Sequence, residues 1–118
     1  MGVIMKEIVL NPDEIIEYVR NEVSVDDIFE LSYNRVFAPG VVIGVQEEDE
    51  DEDSSEGLIL SLQLTGELVS DAVDIDMHKL KDEIIEIYHI PGGDPEDKEN
   101  AIIIEASLWS KFFNFLSI

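Results

Sequence analysis

The chain contains no cysteine, few basic residues and no apolar run longer than a strand. Without cysteine there are no disulfides, no thiolate metal sites and no cysteine nucleophile. Only seven Lys and Arg stand against 28 Asp and Glu, for a net charge of −21. Such a surface has little with which to displace the counterions of phosphates, so it repels DNA, RNA and anionic lipid. The longest apolar stretches, Val41–Val45 and Ala101–Ile104, fall well short of the ~20 residues of a membrane helix. The apolar start, Met1 to Leu10, is interrupted by Lys6 and Glu7 before a signal-peptide core can form. These absences predict a cytoplasmic protein that binds neither nucleic acid nor membrane directly.

Familiar reaction motifs are missing as well. No Gly-x-Ser-x-Gly elbow is present, and Ser54 and Ser55 sit among carboxylates that oppose an alkoxide. Gly92 and Gly93 are followed by Asp94 and Pro95 rather than by lysine, so they do not read as a phosphate cradle. Carboxylate pairs are too common here for any one to mark an acid–base site. The pattern therefore argues against an enzyme, and no cofactor is implied.

What the chain does have is apolar material and negative charge. With 45% hydrophobic residues, 118 residues suffice for a single packed domain over 1–118. Seven consecutive carboxylates, Glu47, Glu48, Asp49, Glu50, Asp51, Glu52 and Asp53, form one acidic run, and setting them aside still leaves −14. Asp49, Asp51 and Asp53 are spaced like the first ligands of a calcium loop. Ser54 then stands at the turn glycine and Leu60 at the bidentate glutamate, so no dedicated metal site is expected there. Asp74, Asp76 and His78 would converge on a strand and diverge on a helix, and a helix cap is the favoured role for Asp76.

The periodicities predict an α+β fold, with a mainly antiparallel sheet of four or five strands and two or more helices on one face. An edge strand over Ile4–Leu10, with Lys6 on its inner face, leads into a helix starting at Asn11-Pro12-Asp13-Glu14. Ser24-Val25-Asp26-Asp27 repeats the capping signature and predicts a second short helix to Leu31. Strands follow at 35–46 and 58–65, joined by a mobile acidic loop at 47–56, and 68–75 reads as a further strand, with a helix as the alternative. Met77, Leu80, Ile84, Ile87 and Tyr88 share a helical stripe from about Asp76, and the isoleucine-rich end of the segment equally suits an extended strand. His89, beside it, reads as structural. After a polar loop opened by Pro91, a strand over 101–107 and a terminal amphipathic helix carrying Trp109, Phe112, Phe113 and Leu116 complete the chain.

Function follows from the charge. A surface this acidic attracts basic proteins and accelerates encounter with them. The expected role is a small acidic interaction protein that binds, and inhibits, a basic partner, as nuclease inhibitors, immunity proteins and mimics of nucleic-acid charge do. The expected contact residues are the seven carboxylates 47–53 together with Trp109, Phe112 and Phe113. The alternative is a structural or accessory subunit that homo-oligomerises through its aromatic C-terminal segment, with a metal-dependent enzyme third.

Overall fold

The computed structural model describes residues 6–49, 56–66 and 71–107. The architecture differs from the expected one. Among the described residues strand accounts for 54%, in a single seven-stranded mixed sheet, and only one helix exceeds four residues.

β1 (Lys6–Leu10) leads directly into α1 (Pro12–Glu22). The helix starts where the sequence says it should. Asn11 Oδ1 accepts from Glu14 N–H at 2.8 Å, and Glu14 returns the bond to Asn11 N–H at 3.0 Å, with Pro12 at the first helical position. The second predicted helix does not form. Residues Ile28–Tyr33 are strand β2, because Phe29 and Leu31 alternate into the core while Ile28, Glu30 and Ser32 face the other way. The capping chemistry is nonetheless present, as Ser24 N–H donates to Asp27 Oδ2 at 2.9 Å. It closes a turn rather than a helix, since Asp26 adopts φ +77° and turns the chain out of the right-handed region.

β3 (Val36–Asp49) and β4 (Glu56–Leu64) form a long hairpin, and β5 (Ala72–Asp76) pairs with β4 at one edge of the sheet. β3 passes through Pro39-Gly40 without a break. It also extends into the acidic run: Glu47, Glu48 and Asp49 pair with Leu58, Gly57 and Glu56, so the connection is shorter than the loop expected over 47–56. The helix expected from Asp76 is one turn, α2 (Met77–Leu80), capped by Asp76. Ile84–Ile90 is strand β6, in keeping with its β-branched isoleucines. β7 (Ile102–Ala106) completes the sheet, and the terminal segment with Trp109, Phe112 and Phe113 lies outside the described residues.

The sheet order is β1-β7-β6-β2-β3-β4-β5. β1 pairs with β7 in parallel and every other pair is antiparallel. β1 and β2 therefore run in the same direction, and β1–α1–β2 is a crossover with β7 and β6 inserted between its strands. Ile15, Ile16 and Val19 of α1 join Phe29, Leu31, Ile87 and Ile104 in the core, while Met77 of α2 closes it beside Leu58, Leu60 and Leu62. Both helices thus lie on one face, the inner one. No helix among the described residues is long and apolar enough to cross a membrane.

Candidate functional site

Strand alternation and register place Lys6, Ile102, His89 and Phe29 in one row across the inner face. His89 is fully buried beneath α1. Its Nε2 lies 2.8 Å from Asp27 Oδ2, and its Nδ1 lies 2.6 Å from the Tyr18 hydroxyl, whose ring meets the imidazole edge to face at 5.5 Å. Asp27 is 4% exposed. Besides His89, it accepts from Ser24 N–H at 2.9 Å and, through Oδ1, from Gly92 N–H at 2.9 Å. One carboxylate thus ties together the turn before β2, the end of β6 and, through His89, the helix. The same loops meet at Gly93, where φ is +77° and a Cβ would stand 2.2 Å from the Asp26 carbonyl oxygen.

The protons in this chain are assigned by its chemistry. Burial alone would raise the Asp27 carboxyl, but the hydrogen bonds from His89, Ser24 and Gly92 and the imidazole charge outweigh it and hold the group below its ordinary value. Asp27 is therefore a carboxylate, which only accepts, so His89 Nε2 carries a proton. His89 Nδ1 is the partner of the Tyr18 hydroxyl, which donates to a neutral ring and accepts from a protonated one. Burial first, and then the charges of Glu22 and Asp27, push the phenol up to about 12, so it keeps its proton at neutral pH. Tyr18 and His89 help to line a cleft of about 210 Å³, together with Lys6, Ile8, Glu22, Pro91 and Ile102.

None of these residues was among the expected contacts. His89 read as structural and Asp27 as a cap, because the three partners are 71 and 62 residues apart in pairs and only the sheet register unites them. The available signal was period two: His89 follows Ile87 on the buried face of a strand, and Tyr18 follows Ile15 on the buried stripe of α1.

The opposite face of the sheet carries no helix among the described residues. Its central row is Glu7, Ile103, Tyr88, Glu30 and Pro39 across five strands. Val9, Glu105, Glu86, Ser32 and Phe37 form the row beside it, with Val9 62% and Phe37 60% exposed. Every charge in these two rows is negative. Glu30 stands at the centre, partly buried, with no ion pair or side-chain hydrogen bond to a described residue, and burial raises its carboxyl above the ordinary value.

Of the expected contact residues, Glu47 lies at the far end of β3, exposed, and pairs with Arg20, which also holds Glu17. Glu48 and Asp49 are in the β3 ladder. Glu50, Asp51, Glu52 and Asp53 lie outside the described residues, as do Trp109, Phe112 and Phe113. Asp76 is the cap of α2, accepting from His78 and Lys79 N–H, and no three His, Asp or Glu side chains among the described residues gather as a metal site.

Residues 6–104 match a family described as uncharacterized proteins conserved in archaea, DUF2097. The chain belongs to this family. The match runs from the first residue of β1 almost to the end of β7, so it takes in all seven strands, the buried relay and the open face. No curated protein and no solved structure matches the chain.

Proposed function

We propose that this member of the archaeal family is a cytoplasmic interaction protein that docks a basic protein on the open face of its sheet. The observation that supports this most directly is Glu30, a partly buried, unpaired carboxylate between Tyr88 and Pro39. A desolvated charge without a partner is unfavourable in the free protein. A lysine or arginine from a partner would relieve it, while Tyr88, Ile103 and Phe37 supply the apolar and aromatic contact of a binding centre. The outlying carboxylates Glu7, Glu86 and Glu105 form an acidic border that steers a cation inwards. The same border opposes a second copy of this chain, because like charges would face each other.

The test compares the wild type with Glu30→Lys. The wild type should capture a basic protein in a 1:1 complex. Its association should slow steeply as salt shortens the Debye length from ~30 Å at ~0.01 M to ~8 Å at ~0.15 M. Glu30→Lys should lose the complex, because it sets two cations against each other. A partner that Glu30→Lys retains, an association rate that ignores salt, or recovery of this chain alone would refute the reading. The last result would favour the accessory-subunit alternative.

A further inference from the structure

The cleft beside the buried relay carries two free charges of opposite sign. Lys6 lines it from β1 and Glu22 from the last turn of α1, both on the exposed rim. Neither makes an ion pair or a side-chain hydrogen bond with a described residue, and they do not pair with each other. Arg20, Lys79 and Lys81 are each taken up by neighbouring acids, whereas Lys6 remains available, as do Arg35 and Lys98. Tyr18 lines the cleft with Lys6 and Glu22, its hydroxyl bonded to His89 Nδ1. The remaining walls, among them Ile8 and Ile102, are apolar.

We infer that this cleft binds a small zwitterion, an aliphatic α-amino acid. Its carboxylate lies on the Lys6 ammonium, its ammonium on the Glu22 carboxylate, and its side chain against Ile8 and Ile102. The volume, about 210 Å³, is below the range of roughly 300 Å³ and upward that drug-sized ligands occupy, and it suits a molecule of this size. A simple anion would meet Glu22, and a simple cation would meet Lys6. Only a ligand bearing both charges satisfies the two walls together. This site lies on the inner side of the sheet and is independent of the docking face.

The experiment titrates the full chain with leucine and with two analogues that each lack one charge, isoamylamine and 4-methylpentanoate. Binding is followed by calorimetry and by the NMR signals of the His89 and Tyr18 rings. Leucine should bind saturably and shift both rings, and each analogue should bind roughly tenfold more weakly or worse, having lost one charge-assisted contact. Glu22→Gln should weaken leucine by about the same factor, as should Lys6→Gln. Both side chains are on the cleft rim, outside the core, so these variants stay folded even if Tyr18→Phe, which strips His89 Nδ1 of its partner, does not. Absence of saturable binding by leucine, valine and isoleucine at about 10 mM would overturn the inference. So would analogues that match leucine, or a Glu22→Gln variant that binds it unchanged.

Discussion

Asp27→Ala is the perturbation whose cost the structure specifies most closely. It removes the acceptor for His89 Nε2 at 2.8 Å and for the Ser24 and Gly92 amides, each at 2.9 Å. His89 is fully buried and Asp27 nearly so. Each donor left buried without its acceptor costs about 1–3 kcal/mol, so the three together cost about 3–5 kcal/mol. For a domain of this length that is roughly 12–20 °C in Tm. Asp27→Asn retains one acceptor and the volume, but sets an N–H₂ group against a donor, and should cost about 1–3 kcal/mol. Urea denaturation from about pH 7 to about pH 3 reads both numbers and their origin. The folded-state carboxyl lies below its unfolded value, so the unfolded chain binds more protons in the interval between them. The contribution of Asp27 is therefore complete above the unfolded value near 4 and is lost as pH falls through the folded one. The gap between wild type and Asp27→Asn should stay constant down to about pH 5 and close below it. A loss under about 1 kcal/mol near neutral pH, or a gap that persists undiminished in acid, would refute the assignment of an ionised, structurally essential Asp27.

Glu30→Gln should behave in the opposite sense. Burial raises this carboxyl in the folded state, so the folded chain binds more protons between the two values and stability falls as pH rises through that interval. Near neutral pH the glutamine variant should melt higher than the wild type, and the advantage should vanish in acid; a lower Tm near neutral pH would show that Glu30 has a cationic partner after all. Gly93→Ala should destabilise by about 2 kcal/mol or more, read by thermal melts, because a Cβ at φ +77° would stand 2.2 Å from the Asp26 carbonyl oxygen. A neutral effect would mean that the 90–93 loop moves away from the 24–27 turn at little cost.

The parts of the fold legible in the sequence were those governed by local chemistry. Asn11, Pro12 and Glu14 start α1 as expected, Lys6 does stand on the inner face of an edge strand, and Asp76 is a cap. What failed was the reading of capping and periodicity where two outcomes share one pattern. Ser24 and Asp27 form half of a capping box, yet Phe29 and Leu31 gain more by alternating into the sheet than a four-residue helix could offer. Ile84, Ile87 and Tyr88 fit a helical stripe on paper. A bulge opposite Ser32 and Tyr33 lets Ile84 and Ile87 both face inward from a strand. The sheet has seven strands rather than four or five for the same reason: 28–33 falls within the stretch whose capping pattern predicts a helix, and 84–90 fits a helix or a strand equally well. The relay was invisible because register is a tertiary property, and Glu30 was one acid among 28 until the sheet put it between Tyr88 and Pro39.

The cleft and the docking face share β1, β7 and β6, where Lys6, Ile102 and His89 face inward and Glu7, Ile103 and Tyr88 face outward. Alternation along each strand makes these pairs neighbours in sequence and opposites in space. Two sites on opposite faces couple only if a strand between them has two arrangements, and coupling must then be reciprocal. β6 is held by β2 and β7 on either side and by Asp27 at its end, through His89 and the Gly92 amide. A strand so constrained favours one arrangement. Leucine affinity should therefore be the same in the wild type and in Glu30→Lys, within about twofold, and the stability effects of Glu30→Gln and Glu22→Gln should add within about 0.5 kcal/mol. Calorimetric titration of leucine into both proteins decides it. A change of about tenfold in Glu30→Lys, roughly 1.4 kcal/mol, would show that β6 transmits between its faces, and independent sites would give way to a partner-regulated one.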